Sequence, residues 1–464
     1  MFSPDTFSAR RAALAQAVGS GLIVLLGNEA MPMNYAANLY DFRQDGSFRY
    51  YGRADAPGLA LTLDAETGEA TLYGREATME DRVWDGERPS VVERAQAAGI
   101  SHTAPPEALA AAVATAQRSG RTIHTLPPYR AAQRVRLAAL LGVAPEAVTP
   151  SEALMDAVIA QRLVKTAEEV SEIEYALTLA DEVHRTAMWM AQPGRTEFEV
   201  AAAVQAAAAS RGAVLSFPAI ITTRGEVPHH HAGPHTLEAG ELLLHDVGCV
   251  APESGYCSDI TRCSPVGGTF SDRQRAIYEL VLEAQEACIA GCAPGVPFRD
   301  LHDLASRSLA TGLVGLGLLR GDVDEIVAQG AHALFFHHGL GHPMGLDVHD
   351  LEGLGEDRVG YGNGFTRSTQ FGTQYLRFAR ELRPGHVMTV EPGLYFNGVL
   401  IELWRSENRF AEFVDYDEAA SWVGFGGVRI EDDVLITDDG HRVLGPGIPK
   451  SIADVEAVVQ SGTA

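Results

Sequence analysis

The chain is short of cysteine, short of basic residues relative to acids, and without any long apolar run; each shortage excludes a class of protein. The five cysteines, Cys249, Cys257, Cys263, Cys288 and Cys292, are odd in number and form no CxxC pair. Neither a zinc-holding cysteine cluster nor a redox disulfide is expected, and the thiols read as reduced. The 36 Lys and Arg are outnumbered by 61 Asp and Glu, giving a net charge of −25. That balance argues against nucleic acid or an anionic membrane as a partner, because phosphate contacts need clustered cations. It leaves acid to spare for binding a metal. No stretch approaches the run of about 18 apolar residues that spans a bilayer. The opening MFSPDTFSARRAALAQAV lacks the basic start, apolar stretch and small-residue cleavage site of a secretory leader, so a cytoplasmic location is expected.

At 464 residues the chain exceeds one ordinary core, and two domains are expected. LIVLLG reads as a strand, and LALTL, the turn DAETGEA and TLYG read as a hairpin; Ser90 to Gly142 alternates short strands with Ala-rich helical windows, the rhythm of an α/β domain. Between Pro150 and Gly194 apolar residues recur at three- and four-residue spacings, as in long helices. The domain boundary is placed here, giving domains 1–160 and 161–464. Beyond Ser216 strand-like segments (FPAIITT, ELLLHDVG, DITRCSPV, HVMTVEPGLYF, VRIEDDVLIT) surround a helix that Ser271 can cap, SDRQRAIYELVLEAQEACIAG. The second domain therefore reads as α+β. The Gly-, Ser- and Thr-rich stretch from Glu352 to Gln374, within a 352–380 insertion, reads as a surface insertion or substrate-covering loop.

Four acids interrupt these apolar strands: Asp246 in ELLLHDVG, Asp259 in YCSDITRC, Glu391 in HVMTVEPGLYF and Glu431 in VRIEDDVLIT. A buried carboxylate is costly unless it is paired, hydrogen-bonded or bound to a metal. Singly, each is most simply a cap or ion-pair partner. Together they gain weight from HHGLGHPMGLDVHD, residues 337–350, which holds four histidines and three glycines that let the backbone turn closely about a site. One or two of those histidines suffice as ligands. Four carboxylates and one imidazole suit a pair of hard or borderline divalent cations, manganese, cobalt or zinc rather than copper.

HDVGC, SDITR, HGLGH with LDVHD, TVEPGLYF and GGVRIEDD resemble, in content and order, the motifs of the pita-bread metallopeptidases of the aminopeptidase P and prolidase group. DFRQDGSFRYYGRADAPG resembles their amino-terminal domain. The resemblance implies a pita-bread catalytic domain over 161–464 behind a smaller α/β domain over 1–160, and a homodimer or higher homo-oligomer as in relatives. It implies two divalent ions per subunit, manganese first with zinc or cobalt as alternatives. Asp246 would chelate one ion, Asp259 and Glu431 would bridge both, and His342 with Glu391 would complete the second ion's shell. Asp259 follows Asp246 by 13 residues, slightly more than is common in relatives, which a longer hairpin turn would absorb.

Outside the metal shell the same resemblance puts His338, His349 and one histidine of PHHH against the substrate. His229 is the choice there, with His230 and His231 as alternatives. Arg429 alternates with Glu431 and is expected to share its face of a strand, where a guanidinium can hold the carboxylates; Tyr395 matches a tyrosine lining the site. The implied reaction is hydrolysis of the bond between an N-terminal residue and a following proline by a hydroxide held between the ions. His349 would stabilise the oxyanion, and Glu391 would carry the proton to the leaving nitrogen. Arg377, in YLRFARELRPG, matches an arginine that binds a dipeptide's carboxylate in longer prolidases. The expectation is an Xaa-Pro aminopeptidase, with a strict Xaa-Pro dipeptidase as the second reading and a metal-free binding module of the same fold as a distant third.

Overall fold

The computed structural model describes residues 2–362 and 364–462. Two compact units are formed, Met1–Arg162 with Gly353–Gly355, and Leu163–Glu352 with Glu356–Ala464.

The first unit is built on a five-stranded sheet of β1 (Leu22–Leu26), β2 (Ala60–Asp64), β3 (Ala70–Tyr73), β4 (His102–Ala104) and β5 (Ile123–His124), in the order β4-β3-β2-β1-β5. The expected hairpin is β2–β3, antiparallel, and β1 pairs antiparallel with β2 but parallel with β5. Every residue of β1 is buried, which is why LIVLL carries no polar alternation: a central strand covered on both faces has no side for water. Leu109, Val113 and Leu137 from flanking helices complete this core with Leu22, Val24 and Leu26.

Among the described residues the second unit contains ten short strands: β6 (Val214–Leu215), β7 (Ile220–Thr222), β8 (Leu242–Asp246), β9 (Cys249–Val250), β10 (Thr261–Pro265), β11 (Val387–Val390), β12 (Gly393–Tyr395), β13 (Gly427–Arg429), β14 (Asp432–Ile436) and β15 (His441–Val443). One pattern occurs twice along the chain. A packed helix pair, Ala167–Met190 with Glu197–Ser210, precedes the sheet β10-β8-β7; a second pair, Asp272–Gly291 with Phe298–Gly315, precedes the sheet β11-β14-β15 and the ribbon β12-β13. The Ala167–Met190 helix starts at a capping box between Thr166 and Glu169 and buries Val170, Ile173, Ala176, Leu177, Ala180, Val183 and Ala187, the three- and four-residue spacing visible in the sequence. Each fully buried Ile, Leu or Val in that stripe contributes roughly 1.5–3 kcal/mol. Ser271 caps its helix as expected, reciprocally with Gln274.

Two expectations are refined. HVMTVEPGLYF and VRIEDDVLIT are each two strands rather than one. The ladder β11–β14 ends at Val390↔Asp432 and the ladder β12–β13 resumes at Gly393↔Arg429. Between them Pro392 has no N–H to give, the Glu391 N–H goes to Leu340 O, and the Glu431 N–H goes to Thr261 O. Arg429 and Glu431 thus flank a strand break instead of sharing one strand's face. All five cysteines are buried and none is joined in a disulfide, and no helix among the described residues is long and apolar enough to cross a membrane.

Candidate metal centre

Each of the four acids stands where a strand ends or breaks. Asp246 closes β8, and Asp259 lies two residues before β10, whose first residue Thr261 pairs with Asp246. The 12 residues between the two acids form an extended hairpin, with β9 and the bridge Val250↔Cys257 leading to a turn closed by Gly255 N to Ala251 O. Glu391 and Glu431 sit on the facing strand break. The segment from Leu340 to Pro343 runs beside β11, with Thr389 N donating to His342 O and a bridge Pro343↔Met388. A Cβ on Gly341 would overlap the carbonyl of Thr389, so glycine is what permits this approach, and the approach puts His342 against the acids.

The result is one cluster. Ligand atoms of Asp246, Asp259 and Glu431 lie within 4.8 Å of one another, as do those of His342, Glu391 and Glu431, and those of Asp259, His342 and His349. His342 Nδ1 bonds to Pro343 O at 3.1 Å, which fixes the tautomer carrying its proton there and turns the Nε2 lone pair toward Asp259 Oδ2 at 3.4 Å and Glu391 Oε1 at 3.6 Å. Hydroxyls hold the acids from behind: Thr261 donates to Glu431 Oε2 at 2.7 Å, and Thr389 contacts Glu391 Oε1 at 3.4 Å.

The electrostatics suit cations. Burial, reinforced by neighbouring acids, pushes the carboxyls of Asp259, Glu431 and Asp433 well above the usual carboxylate range and Glu391 up to about 8. Arg429 is the nearest compensating charge, 2% exposed, with Nη2 on Asp246 Oδ2 at 2.5 Å, Nε on Thr261 Oγ1 and Nη1 on Tyr395 Oη. One guanidinium does not balance these acids. Asp246 Oδ1 is buried without a hydrogen-bond partner, an arrangement rarely left in a folded protein unless an ion takes the lone pairs. The donor set and this orphaned oxygen fit a pair of divalent cations.

The remaining candidates surround the cluster. His349 stacks at 4.0 Å between ring centroids on His342, and its Nδ1 bonds to Glu352 Oε2 at 2.7 Å. The field of Asp246, Arg429 and His349 is felt at His229, whose ring is pushed down chiefly by desolvation. His230 and His231 instead bond to Thr222 Oγ1 and Ala219 O. His338 is less directly placed: its Nε2 meets the Tyr395 hydroxyl at 2.7 Å, so Arg429, Tyr395 and His338 form a chain leading away from Asp246. Arg377 is held by Glu352 and by Glu356 at 3.1 Å. The 352–380 insertion contains short helical turns at Glu352–Leu354, Glu356–Gly360 and Thr373–Tyr375; Asn363 within it lies outside the described residues.

Sequence reasoning missed Thr261, Thr389, Asp433 and Glu352. The threonines had a signal, since each stands two residues from a ligand candidate in extended chain, Asp259 and Glu391, and so shares its face. Asp433, whose Oδ2 accepts the Asp259 N–H at 3.1 Å, was hidden in the acidic pair after Glu431. Glu352 lies in a loop, where no periodicity points.

A four-carboxylate, one-imidazole cluster on a doubled helix-and-strand frame defines a metallohydrolase type of site. Residues 171–438 match metallopeptidase family M24, and residues 7–124 match the aminopeptidase P N-terminal domain. The chain belongs to metallopeptidase family M24. It is 32% identical over 454 residues to human Xaa-Pro dipeptidase, covering 95% of this chain and 89% of that one. It is 31% identical over 427 residues to a probable Xaa-Pro aminopeptidase of Phaeosphaeria nodorum, covering 91% and 88%. Escherichia coli aminopeptidase P in its low-pH form superposes with a TM-score of 0.82 at 28% identity, over 100% of this chain and 99% of that one. Pseudomonas aeruginosa aminopeptidase PepP superposes with a TM-score of 0.81 at 29% identity, over 100% and 99%. The expected family and fold, an N-terminal aminopeptidase P-type domain before an M24 pita-bread domain, are borne out.

Proposed function

We propose that this chain is an Xaa-Pro exopeptidase that releases an N-terminal residue from a following proline, an Xaa-Pro aminopeptidase, using two divalent cations. The convergence of Asp246, Asp259, His342, Glu391 and Glu431 on one buried cluster carries the proposal. Asp246 would hold one ion, Asp259 and Glu431 would serve both, and His342 with Glu391 would hold the second; manganese is the first choice, with zinc or cobalt tolerated by the same ligands. Bound there, such ions supply Lewis acidity and make water nucleophilic near neutral pH.

The chain's own groups do the rest. Arg429 orients Asp246, and Thr261 and Thr389 orient Glu431 and Glu391, so the cluster is preorganised. Tyr395 and His338 extend that support toward the cleft. His349, with Nδ1–H held on Glu352, would meet the developing oxyanion as an imidazolium donating from Nε2, the Glu352 carboxylate favouring the charged ring. Glu391 would take up the proton that the attacking water gives up and pass it to the imino nitrogen of proline. His229 borders the substrate. Proline's missing N–H and fixed φ let a pocket select by ring shape instead of by donor bonds.

A strict Xaa-Pro dipeptidase is the second reading, favoured by Arg377 standing one residue, Glu352, away from His349. Buried thiols outside any disulfide suit a reducing cytoplasm. Exposed Met31, Met33, Tyr35, Leu39 and Tyr40 on the N-terminal unit supply an apolar surface for a homo-oligomer. The test is hydrolysis by the Mn(II)-loaded protein of an Xaa-Pro dipeptide, an Xaa-Pro-Yaa tripeptide and an Xaa-Ala-Yaa control. Tripeptide cleavage at least about 100-fold above the control, some 2.7 kcal/mol of discrimination, is the expected outcome. Cleavage of the dipeptide alone selects the second reading, and equal cleavage of the alanine control defeats both.

A further inference from the structure

We infer that Glu352, backed by Glu356, is a carboxylate built into the cleft that occupies Arg377 and disfavours substrates ending in a free carboxylate directly after proline. The inference rests on the Xaa-Pro reading proposed above. His342, His349, Glu352, Glu356 and Arg377 line one pocket beside the metal centre. The guanidinium acts electrostatically on Glu391, His342 and His349, so it stands within reach of the reacting region. Left free, such a group would be a receptor for a carboxylate, which it can grip in a planar, bidentate fashion.

It is not left free. Arg377 Nη1 is held by Glu352 Oε1 and lies 3.1 Å from Glu356 Oε1. Two acidic side chains against one guanidinium leave no unmet positive charge there for an incoming carboxylate. A dipeptide's terminal carboxylate arriving there must displace an internal partner already in place, against the repulsion of both. A longer peptide, whose proline carbonyl continues into an amide, meets neither obstacle. The second oxygen of Glu352 is committed as well, accepting His349 Nδ1 at 2.7 Å. Burial would raise the Glu352 carboxyl, but the bonds from His349 and Glu356 and the charge of Arg377 carry it down to about 2, so it is ionised throughout the neutral range. Glu352 is therefore a specificity-determining residue that also positions the His349 ring.

Glu352→Gln separates the two roles, because glutamine keeps a carbonyl oxygen for His349 Nδ1 while the charge is lost. In metal-loaded protein, the affinities of a reduced-bond Xaa-Pro analogue are measured as the free acid and as the C-terminal amide, beside KM for Xaa-Pro and Xaa-Pro-Yaa. Wild type is expected to bind the amide at least as well as the acid. In Glu352→Gln the ratio is expected to shift about tenfold toward the acid, the scale of one charge-assisted hydrogen bond, with a parallel fall in dipeptide KM. Adding Arg377→Ala is expected to cancel the shift. A wild-type preference for the acid of tenfold or more, or an unchanged ratio in Glu352→Gln, would overturn the inference. Absence of Xaa-Pro turnover in wild type would defeat the functional reading instead, and the acid-to-amide binding ratio would still decide the role of Glu352.

Discussion

Asp259→Asn is expected to lose turnover on the order of 10⁴-fold, roughly 5.5 kcal/mol of transition-state stabilisation, while the metal-free protein melts as the wild type does. Asp259 contributes to two of the three ligand groupings, with Asp246 and Glu431 and with His342 and His349, so no other side chain can replace it at both. Asparagine has the shape of the protonated acid, and the Asp259 carboxyl, raised by burial and by Asp246, is already disposed to carry a proton when no cation is present. Its backbone N–H, bonded to Asp433 Oδ2, is untouched. The substitution thus removes a ligand charge without removing packing. Comparing kcat/KM with melting in chelator and in excess Mn(II) checks this: the wild type gains stability on loading through mass action, and the variant gains less. Turnover within tenfold of wild type would remove Asp259 from the centre.

Arg429→Ala is expected to be the most destabilising single change near the site, costing about 3–5 kcal/mol. The guanidinium is 2% exposed and serves Asp246, Thr261 and Tyr395 at once. Removing it leaves a buried Asp246 with both oxygens unpartnered, since Oδ1 has no partner already, and frees the tyrosine that fixes His338. Bound cations would offset part of the first loss but not the second. Denaturant unfolding of stripped and loaded protein is therefore expected to show the larger deficit in the stripped form. A deficit below about 1 kcal/mol in both would mean that water replaces the guanidinium.

What was legible in the sequence was the conflict between polar residues and apolar strands. Asp246 in LLLHDV and Glu391 in VMTVEP stand out because a carboxylate inside a buried strand is expensive, and that cost is what marks a functional position. The strand breaks were harder to see. Pro392 signals an interruption on one side, but the matching break between Arg429 and Asp432 follows from losing a partner strand, a tertiary fact with no local signature. The same holds for Arg377: its chemical type was plain, whereas its capture by Glu352 and Glu356 depends on how a loop returns past the site. Among the three histidines of PHHH, hydrogen bonds to Thr222 and Ala219 draw His230 and His231 elsewhere, a distinction that spacing alone did not make.

The central claim is that the five clustered side chains form a two-cation centre, and calorimetric titration of metal-stripped protein with Mn(II) at pH 7 tests it most directly. Two buffers of different ionisation enthalpy separate proton release from binding heat. Glu391, pushed up to about 8, holds a proton at that pH that a cation must displace, and burial raises Asp259 and Glu431 in the same direction. The account predicts two ions per chain, net proton release, and tighter binding as the pH rises. Absence of saturable binding, or binding with no proton released, would contradict it.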